Sequence, residues 1–389
     1  MIKGGLNPKC VLLEYNMIKT ALCDLLGIKY PIIQAGMGPF SNNQLCIAAA
    51  NAGVLGLMST SGLASFTRQY QNEIYRNFAE TGGADPEEEP EVILRQVFEK
   101  AADKTEAAGG VFGVNVMVSA EMREDAEMIL GTAIKAVNED SRLKKRFRVI
   151  FTSAGDPMPW GKVVKEAGFK WLHVVPSVKG AERCAKAGVD LIVASGHEGG
   201  FHTSWEPVHS MVLLPAVVEA MKETGIPVVG AGGFCDGKTL AAALALGAAG
   251  AQMGTRFLAT RESDFAQLWK EGIVEASDRG TLIARGFVGP ARWVKTETSR
   301  EHQANSLKYT PEMFLDTPGE LTEGALKLID YETKAINAVW KGDRSKAMYA
   351  GGECAQRIGD LPSVKDLVSE IMKDAEQVIL RLPSVITSF

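Results

Sequence analysis

Histidine is scarce in this chain, five in 389 residues, and cysteine occurs six times without one C-x-x-C pair. Cys10, Cys23, Cys46, Cys184, Cys235 and Cys354 are scattered, which argues against a disulfide framework or a zinc ribbon. They read as the reduced thiols of a cytoplasmic protein. No run of eighteen apolar residues occurs, so no membrane span is expected. The opening MIKGGLNPKCVLLEYNM lacks the long apolar core of a secretory leader. Basic charge is not in excess either: 42 Lys plus Arg face 47 Asp plus Glu, for a net charge of −5. Without a basic block, neither nucleic acid nor an anionic membrane is expected as a partner. A small molecule is the expected partner, with homodimerisation left open.

What is abundant is glycine, 40 residues, above the usual ~7%. Many of these follow short apolar runs. Eight such runs, rich in Val and Ile, lie at 28–35, 53–59, 111–117, 148–153, 171–176, 190–195, 226–231 and 250–255. Continuous apolar runs of this length suit parallel strands buried on both faces. Helical patterns separate them. After the seventh run Asp236 is placed to cap, KTLAAALAL to form a helix and Gly247 to end it. Gly188 is placed to end another helix after Lys179–Ala187. Eight βα units predict a (β/α)8 TIM barrel rather than an open doubly wound sheet. The expected division is an N-terminal extension (1–19), the barrel (20–260) and a mostly helical C-terminal part packing on it (261–389). The acidic ADPEEEPE (84–91) reads as a solvated loop leading into a helix, and GFVGPARW (286–293), DTPGE (316–320) and YAGGE (349–353) as turns.

Function in such a barrel sits at the C-terminal ends of the strands. There stand Gly36-Met37-Gly38 after the first strand, Asn115 on the third, Ser195 on the sixth, Gly232-Gly233 after the seventh and Gly254-Thr255 after the eighth. The last two are glycine turns entering helices at the strands where barrels commonly hold a phosphate. No GxxxxGK[ST] is present, so neither is a P-loop. The densest polar cluster is Ser195-Gly196-His197-Glu198-Gly199-Gly200-Phe201-His202. HxxxxH outside a helix is poor zinc spacing, so no metal is expected. A strand-end histidine working as acid or base is the better reading. His173, His209 and His302 read as structural, and Cys235 has no base in view that would make it a nucleophile.

YPIIQAGMG (30–38), GVNVMV (113–118), AGVDLIVASGHEGG (187–200) and PVVGAGGFCDGKTLAAALALGAAGAQMGTRFLAT (227–260) resemble the nitronate monooxygenase (2-nitropropane dioxygenase-like) family. That family includes flavin-dependent bacterial enoyl-acyl-carrier-protein reductases. ARGFVGPARW (284–293) and MYAGGECAQRI (348–358) are similar to its C-terminal part. The resemblance implies a barrel binding FMN. The ring would lie near Gly36, Met37, Gly38, Asn115 and Ser195, with Gly199 and Gly200 in the same site, and Gly232, Gly233, Gly254 and Thr255 would hold the phosphate. In the family's Glu-x-Gly-Gly-His frame the last residue is catalytic, and here that frame reads Glu198-Gly199-Gly200-Phe201-His202. His202 is thus the implied catalytic residue. The second glycine is replaced by Phe201, which crowds the site, and His197 is an added histidine. The first expectation is oxidation of an alkyl nitronate, with electrons passing through FMN to O2. The alternative is an NAD(P)H-dependent FMN reductase of an enoyl thioester or a quinone. A barrel that binds a phosphorylated ligand without turnover would leave the Ser195–His202 cluster without a role.

Overall fold

The computed structural model describes residues 18–70, 72–286, 289–315 and 322–385. Most of the N-terminal extension, Cys10, the turn at 316–320 and two residues of the 286–293 turn lie outside the described residues.

Among the described residues there are eleven strands: β1 (Ile32–Gln34), β2 (Gly56–Ser59), β3 (Phe112–Met117), β4 (Phe147–Ser153), β5 (Lys170–Val175), β6 (Leu191–Ser195), β7 (Phe201–His202), β8 (Val228–Ala231), β9 (Ala251–Met253), β10 (Thr281–Gly286) and β11 (Gly289–Val294). Eight of them form one parallel sheet in the order β1-β9-β8-β6-β5-β4-β3-β2. A parallel bridge between Ile33 and Leu55 joins its two edges, so the sheet closes into the expected barrel. These eight strands coincide with the eight apolar runs, β4 and β5 starting one residue before theirs. One face of the strands (Ile33, Leu57, Val149, Phe151, Leu172, Leu191, Val193, Val229) fills the barrel. The other (Ile32, Met58, Val114, Ile150, Ile192, Val228, Met253) packs under the surrounding helices. Both faces are apolar, so alternation is lost and a continuous run remains.

Helix signals in the sequence are realised locally. Asp236 accepts from the Thr239 N–H in a capping box at the helix Gly237–Ala245, and Gly188, at φ +84°, ends the helix Val178–Ala187. The acidic stretch turns and enters the helix Pro90–Thr105 with proline in its first turn. The final helix, Val364–Arg381, packs back on the barrel: the Gly237 position lies against its backbone.

The C-terminal part departs from the mostly helical expectation in one respect. It carries the hairpin β10–β11, and β11 pairs in turn with the two-residue β7, as Ala291 with His202 and Arg292 with Phe201. The outer edge of β10 is covered by the helix Glu297–Tyr309. His302 Nε2 donates to the Arg285 carbonyl (2.6 Å), Gln303 donates to the Ile283 carbonyl (2.7 Å), and Ser306 Oγ accepts from the Arg285 N–H (3.0 Å). Side chains thus take the place of a fourth strand. A second core lies beneath this ribbon, where Phe40, from the loop after β1, packs against Phe265, Trp269 and Trp340 at 5.3–5.4 Å.

Candidate functional site

Continuing the inward alternation to the strand ends places Ala35, Ser59, Asn115, Ser153, Val174, Ser195, Ala231 and Gln252 at the barrel mouth. All eight are uncharged. Asn115, Ser153, Val174, Ser195 and Gln252 are half-buried, as are Gly36, Met37, Gly38, Gly232, Gly233 and Gly254, so one cleft opens over this end of the barrel. Ser153 donates to the Asn115 side-chain oxygen at 3.0 Å. Gly36 passes so close that a Cβ there would lie 2.8 Å from Asn115 Cβ. Met37 packs its sulfur over Gly254, bringing the first and last strand loops together.

Gly232 and Gly233 have φ of +86° and +85°, a left-handed conformation that favours glycine. A Cβ on Gly232 would lie 2.5 Å from the Gly196 carbonyl oxygen. Among the described residues, no protein group accepts from the backbone N–H of Gly232, Gly233, Gly254 or Thr255. Those donors line two adjacent turns, the arrangement an anionic phosphate requires. At the mouth, the buried Gln252 Oε1 has no hydrogen-bond partner and so offers an acceptor to a ring N–H. A glycine cradle plus an unpaired acceptor fits the flavin nucleotide that the resemblance implies.

The 196–202 loop is held from three sides. Glu198 accepts from the Ser210 N–H (2.9 Å), closing the N-terminus of the helix Ser210–Met221. Ser210 in turn donates to the Gly232 carbonyl at 2.6 Å. Arg292, buried on β11, donates to the His197 carbonyl (2.9 Å) and to Thr281 Oγ1 (3.2 Å), and pairs with Glu353 at 3.0 Å. Gly352 wedges between loop and phosphate turn: its N–H donates to Thr255 Oγ1 (2.9 Å), while the Glu353 N–H donates to the Glu198 carbonyl (2.9 Å). Gly200 abuts Gly352 closely, since a Cβ at Gly200 would lie 2.6 Å from its nitrogen. Gly199 sits over Ser195 Oγ.

His202 lies on β7, in the ribbon rather than the barrel sheet, and is exposed. Its imidazole lies over Gly286, where a Cβ would come within 2.8 Å of Cε1. Part of the residue is exposed, yet the protein crowded around the imidazole withholds solvation and lowers its pKa from 6.5 to about 4. The imidazole is therefore neutral at pH 7. His173 points away from the mouth and hydrogen-bonds Thr152 (2.7 Å). His302 lies on the edge of β10 and His209 precedes an outer helix. Cys235 shares a hydrogen bond with Cys354, which lowers the Cys235 thiol and raises that of Cys354. Gly36, Gly38, Gly232, Gly233 and Gly254 therefore lie at this mouth with Met37, Asn115, Ser195 and Thr255, Gly199 and Gly200 lie in the adjoining loop, and His202 lies on the ribbon that this loop enters. Arg292, Gln252, Gly286 and Gly352 were not singled out. Only Gly352 left a legible signal, as part of the glycine pair in MYAGGECAQRI.

The family profile for nitronate monooxygenase matches residues 19–374. The chain is 30% identical to the (3aS,4S,5R,7aS)-5-hydroxy-7a-methyl-1-oxo-octahydro-1H-indene-4-carboxyl-CoA dehydrogenase of Rhodococcus jostii (strain RHA1), over 92% of this chain and 96% of that one. It is 29% identical to a probable nitronate monooxygenase of Staphylococcus aureus (strain MSSA476), over 70% and 76%. The structure of FabK from Thermotoga maritima superposes with a TM-score of 0.73 at 28% identity, covering 95% of this chain and 100% of that one. No helix among the described residues is long and apolar enough to cross a membrane.

Proposed function

Because the chain belongs to the nitronate monooxygenase family and is an oxidoreductase, we propose that it uses FMN to act on an acyl thioester, with His202 exchanging the proton. The observation that carries this reading is the charge of the mouth. Its eight inward side chains are uncharged and His202 is neutral at pH 7. A nitronate is an anion, and burying it without a cation is costly. The reacting end of a thioester is neutral and meets no such penalty. The dehydrogenase relatives, whose names carry a carboxyl-CoA substrate, also align over more of the chain than the probable nitronate monooxygenases do.

FMN, when bound, supplies the redox chemistry. The backbone N–H groups of Gly232, Gly233, Gly254 and Thr255 would hold its phosphate. Gly36, Met37, Gly38, Asn115, Ser195 and Gln252 would flank its ring, with Gly199 and Gly200 closing the side toward His202. The neutral imidazole of His202 takes a proton from the substrate or passes one back. Arg292 and Glu198 fix the loop that carries it, so the imidazole is positioned before substrate arrives.

An anaerobic titration followed in the flavin absorbance band tests this reading. NADH or NADPH should bleach the band, and crotonyl-CoA should restore it. An alkyl nitronate should leave it unchanged. Bleaching by the nitronate alone overturns the thioester reading in favour of nitronate oxidation. A protein that acquires no flavin band on addition of FMN overturns the cofactor.

A further inference from the structure

We propose that Phe201 is a specificity-determining residue of this site, presenting an aromatic face beside His202 to a branched or cyclic hydrocarbon group on the substrate. This rests on the thioester reading for its substrate class, though not for its geometry.

The backbone of Phe201 has φ +62°. Among the described residues only Ala154 and Arg279 share a positive φ without being glycine. For a bulky side chain this is a true outlier, because Cβ crowds the following carbonyl oxygen. Glycine would occupy the position without strain. The conformation is fixed from both sides: Phe201 and His202 pair with Arg292 and Ala291, and the Thr203 N–H donates to the Pro290 carbonyl at 2.9 Å. Strain that persists under such constraint, beside a candidate catalytic group, points to function.

The ring shows what that function is. It meets the fully buried Trp293 edge to face, with centroids 5.4 Å apart at 87°. Against the His202 imidazole it lies at 4.4 Å and 47°. Trp293, Phe201 and His202 thus form a continuous wall running from the second core to the cleft. Phe201 packs against the second core but is only half-buried, so that core does not enclose it. That ring offers no donor or acceptor. A substrate whose reacting atom reaches His202 must set an apolar group against it, and a flat hydrocarbon ring or branched acyl group covers that surface better than a short chain.

Two variants of the holoenzyme separate the ring from the strain. Phe201→Gly removes both, whereas Phe201→Ala removes the ring and keeps the unfavourable φ. Calorimetry with cyclohexanecarbonyl-CoA and acetyl-CoA reads the recognition. Both variants should weaken the cyclic thioester about tenfold while leaving acetyl-CoA within about twofold. Imidazole NMR against pH reads the wall: loss of the ring admits water, so the His202 midpoint should rise from about 4 toward 6.5. Phe201→Gly should melt above Phe201→Ala, by on the order of 2 °C or more. An unchanged ratio of the two affinities in both variants overturns the proposal. Should the wild-type protein bind neither thioester, the substrate reading fails, and the titration then decides for Phe201. A midpoint that does not move overturns its role at His202.

Discussion

The barrel and the ribbon that leans over it are built from opposite materials. The barrel interior is hydrocarbon from Ile33 to Val229, and polarity begins only at the strand ends. The ribbon and its covering helices bury Arg285, Arg292, His302 and Glu332, each 5% exposed or less. The barrel needs no charge because its backbone is satisfied strand to strand and its core gains from area alone. The ribbon is small and has open edges, so it relies on side-chain hydrogen bonds, as His302, Gln303 and Ser306 make to β10. The division suits the proposed chemistry. A rigid apolar scaffold holds a cradle for the cofactor, and an irregular polar attachment brings the titrating group over it. Variants in the two regions should therefore fail in different ways.

The largest effect is expected at Arg292, where the regions are fastened together. Arg292→Met removes a buried guanidinium that satisfies the His197 carbonyl, Thr281 and Glu353. It should destabilise the protein by about 3 kcal/mol, seen as a lower midpoint in urea unfolding, with turnover falling too. A midpoint equal to wild type would mean that the ribbon does not depend on this clamp. Next comes His202→Ala, which should keep bound FMN yet lose turnover by roughly a hundredfold or more. Full activity would move the acid–base role to His197. Gly232→Ala should do the reverse. Its Cβ would meet the Gly196 carbonyl at 2.5 Å with φ at +86°, so FMN affinity should fall, by roughly tenfold or more. Equilibrium dialysis of FMN against each variant separates the two, and loss of FMN from His202→Ala would collapse the distinction.

The same contrast explains what could be read from sequence. Strands buried on both faces leave uninterrupted Val- and Ile-rich runs, and eight of them separated by helical patterns leave few other folds. The glycine turns were legible because an N–H cradle needs glycine whatever else the family does. The ribbon left no such trace. Every residue of β11 is buried, so GPARWV shows no alternation, and it contains an arginine and a proline. β7 is two residues long and includes a phenylalanine in a glycine conformation, which no propensity anticipates. Arg292 was invisible for a related reason. A buried arginine is recognised by the carbonyl it meets, and that carbonyl, on His197, is 95 residues away.

The smallest effect is a pH dependence that comes mainly from the ribbon part. Burial raises the Glu332 carboxyl from 4.5 to about 8, with Arg285 opposing the rise but not near enough for an ion pair. Its Oε2 has no partner among the described residues. A raised carboxyl holds its proton in the folded state, so its contribution is complete below pH 4.5 and is lost as pH rises through about 8. Burial acts oppositely on His302, which stacks on Tyr331 and falls to about 4. A lowered histidine contributes above pH 6.5, and that contribution is lost as pH falls through about 4. His202 on β7 and His173 in the barrel, also lowered to about 4, act with it. Stability should therefore climb from pH 4 to about 6.5 and then decline gently toward pH 8.5. A tenfold change in proton affinity between the folded and unfolded chain is worth about 1.4 kcal/mol, and water or side chains relaxing around the group reduce it. Glu332→Gln keeps the neutral shape and removes the titration. Its Tm should match wild type near pH 5 and exceed it by a few degrees at pH 8.5. Parallel Tm curves across that range would show that Glu332 is charged in the folded protein, with Arg285 closing the gap to pair with it.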